Sequence, residues 1–159
     1  MWTVLDSPVG ELRLVENGGA ITAIEFTPFR PSTGRPIGDR RDDHPVLAAA
    51  AEQLTAYFAR ELKEFDLPLD PGGTSFQQRV WQQLQLIGYG ETLSYGEIAA
   101  RLGMNRGASR AVGAANGRNP IGIVIPCHRV VGTTGSLSGY AGGVERKQLL
   151  LALEQDALF

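Results

Sequence analysis

Cysteine is nearly absent from this chain: among its 159 residues, Cys127 is the only one. A single thiol cannot form an internal disulfide bond, and it cannot supply the cysteines of a Cys-rich zinc site. We therefore predict no bound metal, and we expect no cofactor. Two roles remain for Cys127, an inert buried side chain or a reactive nucleophile.

Long hydrophobic runs are also missing. No stretch reaches the roughly 18 consecutive apolar residues that a membrane-spanning helix needs. Residues 1–4 do not show the basic-then-apolar pattern of a secretory signal. We therefore expect a cytoplasmic protein with no membrane partner, because a reducing compartment keeps a lone thiol free.

Acidic residues are absent from much of the second half. The net charge is −2, but residues 1–73 hold 7 Lys and Arg against 12 Asp and Glu, whereas residues 74–159 hold 8 against 5. No acidic side chain lies between Glu97 and Glu145. This interval carries Arg101, Arg106, Arg110, Arg118 and Arg129. Such a surface suits a polyanion, since each phosphate contact releases counterions. The alternative is a solvated basic face with no partner.

The first half predicts a small antiparallel sheet with one helix. Three short runs of alternating or β-branched residues, separated by Gly- and Pro-containing turns, predict a three-stranded meander. The runs cover residues 2–6, 11–15 and 20–26. Residues 28–45 have no periodicity and predict a surface loop. A helix is predicted over 46–62, with Pro45 suited to its first turn, and a short edge strand over 65–70.

A Pro-Gly-Gly sequence at residues 71–73 marks the expected domain boundary. It divides the chain into a domain of residues 1–73, containing the sheet and helix, and a mostly helical domain of residues 74–159. The predicted fold class is therefore α/β with two domains.

Two patterns of the capping-box form predict helix starts in the second domain. They are Thr74 to Gln77 and Ser94 to Glu97. The helices that follow should cover 75–87 and 95–102, and a further short helix over 107–116 follows a tight Gly-containing turn. Two short helices across such a turn are typical of a helix-turn-helix. Many helix corners bind nothing, but the absence of acidic residues between Glu97 and Glu145 favours a nucleic-acid partner.

The surroundings of Cys127 favour the nucleophile. Residues 121–125 are an apolar run that predicts a buried strand, which would bring Cys127 from the core to a rim. His128 and Arg129 follow it, and nearby cations lower the pKa of a thiol. The Gly- and Ser-rich loop over 132–143 would let a ligand approach closely.

His128 cannot easily contact the neighbouring sulfur, because adjacent residues on a helix point about 100° apart. A bridging water would close the gap, with His128 taking the thiol proton and a carboxylate orienting the imidazole. Glu154 is the candidate carboxylate, since it lies on the only later predicted helix. This arrangement is a catalytic triad with one water inserted. The alternative for Glu154 is a solvated side chain.

Five motifs of the second half resemble the O6-alkylguanine-DNA alkyltransferase family in order and spacing. They are Phe76 to Trp81, Tyr89 to Tyr95, Ser109 to Gly113, Asn119-Pro120 and Pro126 to Val130. The resemblance runs from about residue 76 to residue 154, and the His–Glu relay above matches it as well. The first half fits only in length and in its order of sheet then helix.

The resemblance implies an RNase H-like first domain and a winged-helix-like second domain that binds duplex DNA in the minor groove. It implies a suicide repair reaction: Cys127 takes the alkyl group irreversibly from the O6 atom of a flipped guanine, and O4-alkylthymine is an expected second substrate. Flipping is required because the O6 substituent is shielded inside the stacked duplex. We expect a monomer, with cooperative assembly on DNA left open.

The matching positions imply roles for residues that contact DNA. Arg110 matches the arginine that enters the stack where the base was, and Tyr95 matches the tyrosine that crowds the 3′ phosphate and hydrogen-bonds the base. Thr133 matches a residue that touches phosphate. Asn119 matches the asparagine that braces the turn before the active-site strand.

Other positions would line the substrate pocket. Tyr140 would form a wall, and the backbone N–H of Ala141 would reach the guanine O6. The backbone carbonyls of Cys127 and Val130 would accept from the exocyclic amine. The chain departs from some members in lacking an N-terminal Cys/His zinc site, and in residues 105–107 of the helix-turn-helix.

Two other functions remain. A non-catalytic lesion-binding protein would keep the arginine and replace the cysteine, so the presence of Cys127 disfavours it. A Cys-His hydrolase would need an oxyanion hole, and adjacent Cys and His residues have poor geometry for direct proton transfer.

Overall fold

The computed structural model describes residues 1–30, 34–132, 140 and 142–156. Thr133 and Ala141, both predicted site residues, lie outside this described part. The chain divides into two compact units, Met1–Gly72 and Gly73–Phe159.

The first unit contains the predicted three-stranded meander. Strands β1 (Trp2–Leu5), β2 (Leu12–Asn17) and β3 (Ala20–Phe26) are antiparallel and lie in that order. Because side chains alternate between the two faces of a strand, Leu12 and Leu14 of the central strand share one face, and both are fully buried. The sheet packs against one helix, α1 (Pro45–Phe58).

Helix α1 begins as predicted, with Pro45 in its first turn. His44 is its N-cap, since the ring Nδ1 accepts a hydrogen bond from the Val46 backbone N–H at 3.2 Å. The buried face repeats at helical spacing and consists of Leu47, Ala50, Leu54 and Tyr57. The predicted end at residue 62 is wrong, because Arg60 adopts a positive φ of 62°, which a right-handed helix cannot accommodate.

The edge strand predicted over 65–70 does not form. Its part in the sheet is a single parallel bridge between Leu69 and Ile21. The Ile21 N–H donates to the Pro68 carbonyl and the Asp70 N–H donates to the Ile21 carbonyl, each at 2.8 Å. A proline has no N–H to donate, so the ladder stops there.

The loop predicted over 28–45 forms no helix or strand in its described part before α1, residues 28–30 and 34–44. It is fastened to β1 by one bridge between Trp2 and Arg40. The Trp2 N–H donates to the Asp39 carbonyl at 3.0 Å.

The described part of the second unit contains four α-helices and a small sheet. The helices are α2 (Ser75–Leu84), α3 (Tyr95–Arg101), α4 (Ser109–Gly117) and α5 (Val144–Asp156). Strands β4 (Leu93–Ser94) and β5 (Val130–Val131) pair in parallel. Both predicted capping boxes are present, at Thr74 before α2 and at Ser94 before α3.

Helices α3 and α4 form the predicted helix-turn-helix. Gly103, with a φ of 74°, follows α3, and a 3-10 turn over Arg106–Ala108 leads into α4. This turn replaces the first residues of the helix predicted from 107. Helix α2 supports the pair, because the Trp81 indole N–H donates to the Ala115 carbonyl of α4 at 2.8 Å.

Residues 121–125 are buried as predicted, but the strand expected there is wrong. The segment turns on itself, and Ile123 has a positive φ of 74°. The Asn119 side chain forms hydrogen bonds with backbone groups that would pair with a neighbouring strand in a sheet. Its Nδ2 donates to the Ile125 carbonyl at 2.8 Å, and its Oδ1 accepts from the Ile121 N–H at 3.0 Å.

The capping box before α2 predicts a measurable loss of stability. In Thr74→Ala the hydroxyl that accepts from the Gln77 N–H at 3.1 Å is removed. We expect the free energy of unfolding to fall by about 1 kcal/mol, measured by urea denaturation. Thr74→Ser keeps the hydroxyl and should stay within about 0.5 kcal/mol of the unsubstituted protein. Equal stabilities of the alanine and serine variants would contradict this role of the cap.

Candidate active site

Cys127 begins a 3-10 turn, Cys127–Arg129, that follows the buried segment. Its side chain is 3% exposed, so the prediction that Cys127 lies at an open rim is wrong. Burial raises the pKa of its thiol to about 11, although a hydrogen bond from the Asn119 side chain and the charge of Lys147 act in the opposite direction. The sequence-based prediction of a pKa lowered by neighbouring cations is therefore wrong for this structure: the thiol is protonated at neutral pH.

His128 and Glu154 meet in the interior of the second unit. The ring Nε2 of His128 is 2.6 Å from Oε2 of Glu154, and both side chains are at most 1% exposed. Arg129 donates to the same carboxylate through Nε at 2.9 Å and Nη2 at 3.1 Å. The Gly90 backbone N–H donates to Oε1 at 3.1 Å, so the buried carboxylate accepts from three groups.

The protonation states follow from these contacts. Burial would raise the pKa of Glu154, but the hydrogen bonds and charges of His128 and Arg129 outweigh it and lower the pKa to about 2. Burial also lowers the pKa of His128, against the opposing effect of Glu154. At neutral pH the carboxylate is therefore ionised and the imidazole neutral.

This fixes the tautomer of His128. An ionised carboxylate can only accept, so Nε2 carries the hydrogen and Nδ1 has the free lone pair. Nδ1 is buried and has no hydrogen-bond partner among the described residues. It is the atom of the pair that can act as a base.

Arg129 does not belong to the arginine surface expected from the sequence. It is 6% exposed, and its Nη1 also donates to the Ile87 carbonyl at 2.7 Å. Of the remaining arginines of that interval, Arg101, Arg110 and Arg118 are exposed, and the side chain of Arg106 lies outside the described part. The exposed basic face is therefore smaller than predicted.

The predicted DNA-contacting residues lie on the helix-turn-helix. Arg110 is in the first turn of α4, and among the described residues it has no ion pair or hydrogen bond through its side chain. Tyr95 begins α3 and is half-buried. The ring of Tyr95 lies against α4, where a Cβ on Gly113 would be 3.8 Å from it.

The predicted pocket residues are largely buried. Val130 is fully buried and Tyr140 is 8% exposed. The two carbonyls expected to accept from a base already have protein donors. The Asn116 Nδ2 donates to the Cys127 carbonyl at 3.3 Å, and the Lys147 Nζ donates to the Val130 carbonyl at 2.5 Å.

Asn116 and Lys147 were not predicted from the sequence. Lys147 is fully buried, and its charge acts on the thiol. Helical periodicity is the signal that could have identified Lys147. It lies seven residues, about two turns, before Glu154, on the same buried face of α5 as Leu150. No comparable pattern marks Asn116.

Two features are absent from the described residues. No group of three or more His, Cys, Asp and Glu side chains there could hold a metal ion. None of the described helices has the length and apolar character to cross a membrane.

Family models match almost the entire chain. Residues 1–71 match the ribonuclease-like domain of 6-O-methylguanine DNA methyltransferase, and residues 75–156 match its DNA binding domain. The class is thus a two-domain α/β protein with a ribonuclease-like first domain and a DNA-binding second domain, as predicted. The chain belongs to the 6-O-methylguanine DNA methyltransferase family.

Individual relatives agree with this assignment. The methylated-DNA–protein-cysteine methyltransferase of Mycolicibacterium paratuberculosis is 52% identical over 155 residues, covering 97% of this chain and 92% of its own. That of Methanosarcina acetivorans is 45% identical over 153 residues, covering 96% and 97%. A crystal structure of Mycobacterium tuberculosis OGT in complex with DNA is similar with a TM-score of 0.86 and 49% identity, covering 98% of this chain and 93% of that one.

Acidification should remove stability from the second unit. The Glu154 pKa of about 2 lies below its ordinary 4.5, so the ionised carboxylate contributes stability that is fully present above pH 4.5 and is lost as the pH falls towards 2. His128 acts in the same direction, since its lowered pKa means that protonation opposes the folded state.

Urea denaturation at a series of pH values between about 5 and 2 measures this effect. Glu154→Gln should lose less stability over that range than the unsubstituted protein. Glu145→Gln, which alters an exposed carboxylate on the same helix, should keep the original slope. The same slope in all three proteins would show that Glu154 does not carry the effect.

Proposed function

We propose that this protein repairs O6-alkylguanine in double-stranded DNA by transferring the alkyl group to Cys127, once per molecule. The observation that carries the proposal is the buried pair of His128 and Glu154 next to the chain's only cysteine, within the unit that matches the family's DNA binding domain. The relatives named as methylated-DNA–protein-cysteine methyltransferases support it.

The first step is removal of the thiol proton. With the Cys127 pKa raised to about 11, only a small fraction of the protein holds a thiolate at neutral pH. His128 Nδ1, which has the free lone pair, takes the proton through one bridging water. Glu154 keeps the imidazole in the required tautomer and stabilises the imidazolium that forms.

The second step is displacement at the alkyl carbon. The thiolate sulfur forms a bond to that carbon, and the bond between the carbon and O6 breaks. The electron pair of the broken bond stays on the guanine, which recovers neutrality by taking up the proton that left the thiol. The products are a thioether on Cys127 and an unmodified guanine.

The reaction ends there because removing the alkyl group from the thioether would require the Cys127 thiolate to depart, and a thiolate is a poor leaving group. The chain has no second cysteine that could receive the alkyl group. A one-to-one stoichiometry of protein and lesion follows.

The damaged base has to leave the duplex to reach a buried sulfur. We propose that the helix-turn-helix binds the minor groove and that Arg110 enters the base stack as the guanine flips out. Thr133 would contact phosphate, and Asn119 would hold the segment before Cys127. The residues around the base would be Tyr95, Val130, Tyr140 and Ala141.

The proposal extends to the cell and to a second lesion. O4-alkylthymine carries the same kind of alkyl–oxygen bond on an exocyclic oxygen and is the proposed second substrate. We place the protein in the cytoplasm as a monomer, since reducing conditions there keep the thiol unoxidised.

The covalent product tests the proposal directly. After incubation with duplex DNA containing O6-methylguanine, the intact protein should gain the mass of one methylene group, located on the Cys127 peptide, up to one equivalent. Cys127→Ser should gain no mass. Repaired DNA with unmodified protein, or repeated turnover, would exclude the suicide reaction, and binding of the lesion without transfer would indicate a non-catalytic lesion-binding protein.

Arginine variants test base flipping. Arg110→Ala should slow methyl transfer from duplex DNA more than Arg101→Ala, because only Arg110 is proposed to fill the vacated stack. Both arginines are exposed, so they are matched in burial. Rates are measured as the formation of methylated protein in single-turnover experiments. Equal losses of rate in the two variants would indicate that Arg110 makes only an ordinary phosphate contact.

A further inference from the structure

Lys147 is a fully buried lysine in the described part of the second unit. Its ammonium group donates to the Val130 carbonyl at 2.5 Å and lies 5.9 Å from the ring centre of Tyr95. Burying an ammonium group is energetically costly, and lysine is among the residues that are rarely fully buried. Its location beside the candidate site therefore calls for a functional explanation.

The carbonyl that holds Lys147 is itself well fixed. Val130 lies three residues after Cys127, directly after the 3-10 turn, and begins β5, where it pairs with Leu93 of β4. The Lys147 ammonium is thereby held at a defined place next to the segment that carries the sulfur.

The charges around the sulfur leave a clear role for Lys147. On the 3-10 turn, Arg129 is bound by the Glu154 carboxylate of α5, and His128 is neutral at rest. From α3, Tyr95 contributes a polar aromatic ring next to the ammonium. Burial lowers the pKa of Lys147 and raises that of the Cys127 thiol, and the charge of each group opposes the shift of the other, so the two groups interact electrostatically.

We propose that Lys147 is a positioning residue whose ammonium group, anchored on the Val130 carbonyl, stabilises the negative charge on the Cys127 sulfur when His128 takes the thiol proton. The stabilisation acts within a buried site, where charges are poorly screened by solvent. Its role in alkyl transfer depends on the proposed function, whereas its effect on the thiol is a property of the free protein.

The test begins with DNA-free protein. Because Cys127 is the only cysteine, the pH dependence of its alkylation by iodoacetamide, followed as the mass of the Cys127 peptide, reports on the ionisation of this thiol alone. Lys147→Met keeps a side chain of similar length without the charge, and it should raise the thiol pKa by about one unit. Lys147→Arg retains a charge, so its thiol pKa should be closer to that of the unsubstituted protein. Arg146→Met, which removes the adjacent cation from α5, should cause no shift.

Two results would overturn the inference. The thiol pKa could be the same in Lys147→Met and the unsubstituted protein, or the arginine and methionine variants could titrate alike, which would show that charge is not the cause. Should Lys147→Met fail to fold, as judged by circular dichroism, Lys147→Gln replaces it with the same expected shift.

The second measurement is the rate of methyl transfer at neutral pH from duplex DNA containing O6-methylguanine, compared between the variants. Well below the thiol pKa, raising that pKa by about one unit lowers the thiolate fraction about tenfold, so Lys147→Met should accept the methyl group about tenfold more slowly. Lys147→Arg keeps a positive charge and should recover most of this loss. Equal rates in the arginine and methionine variants would indicate a merely structural role and would contradict the proposal. If the unsubstituted protein accepts no methyl group, the proposed function fails, while the thiol titration still decides the role of Lys147.

Discussion

The second unit is organised around one buried carboxylate. Glu154 accepts hydrogen bonds from His128, from Arg129 and from the Gly90 backbone N–H, so it joins α5 to the turn that carries Cys127 and to the loop before β4. A buried charge is tolerated only when it is fully compensated, and removing either partner would leave the other charge uncompensated. The same contacts that keep the carboxylate ionised also fix the imidazole tautomer. Structural stability and the availability of a base at Nδ1 therefore have one origin.

Cys127, unlike Glu154, is buried in its uncharged form. The surrounding apolar segment raises the pKa of its thiol to about 11, which makes the resting side chain a weak nucleophile. Low resting reactivity is an advantage for a residue that is consumed by its first reaction, because other electrophiles that reach the thiol do not modify it before the substrate binds. Reactivity then depends on groups that act at the moment of proton transfer, for which we propose His128 as the base and Lys147 as the nearby positive charge.

Features that depend on neighbours in sequence could be predicted, whereas features that depend on tertiary contacts could not. The capping boxes at Thr74 and Ser94, and Pro45 in the first turn of α1, follow from local hydrogen bonding and backbone geometry. The strand expected over 121–125 fails because the Asn119 side chain pairs with its backbone. The sequence predicts Arg129 as a surface charge because its partner Glu154 is distant along the chain. The roles proposed for Arg110 and Tyr95 rest on the resemblance and stay predictions.

Helix α5 places a constraint on the length of the chain. Lys147 and Glu154 both contact the segment of Cys127 to Val130, because they are separated by seven residues, close to two full turns of an α-helix, and so share one face of α5. Inserting or deleting one residue between them would rotate one side chain by about 100° relative to the other. Substitutions on the outer face of α5 are compatible with this geometry, but changes of length are not. The inner face of α5 is therefore constrained both in the identity of Lys147 and Glu154 and in the number of residues between them, whereas its outer face is constrained in neither.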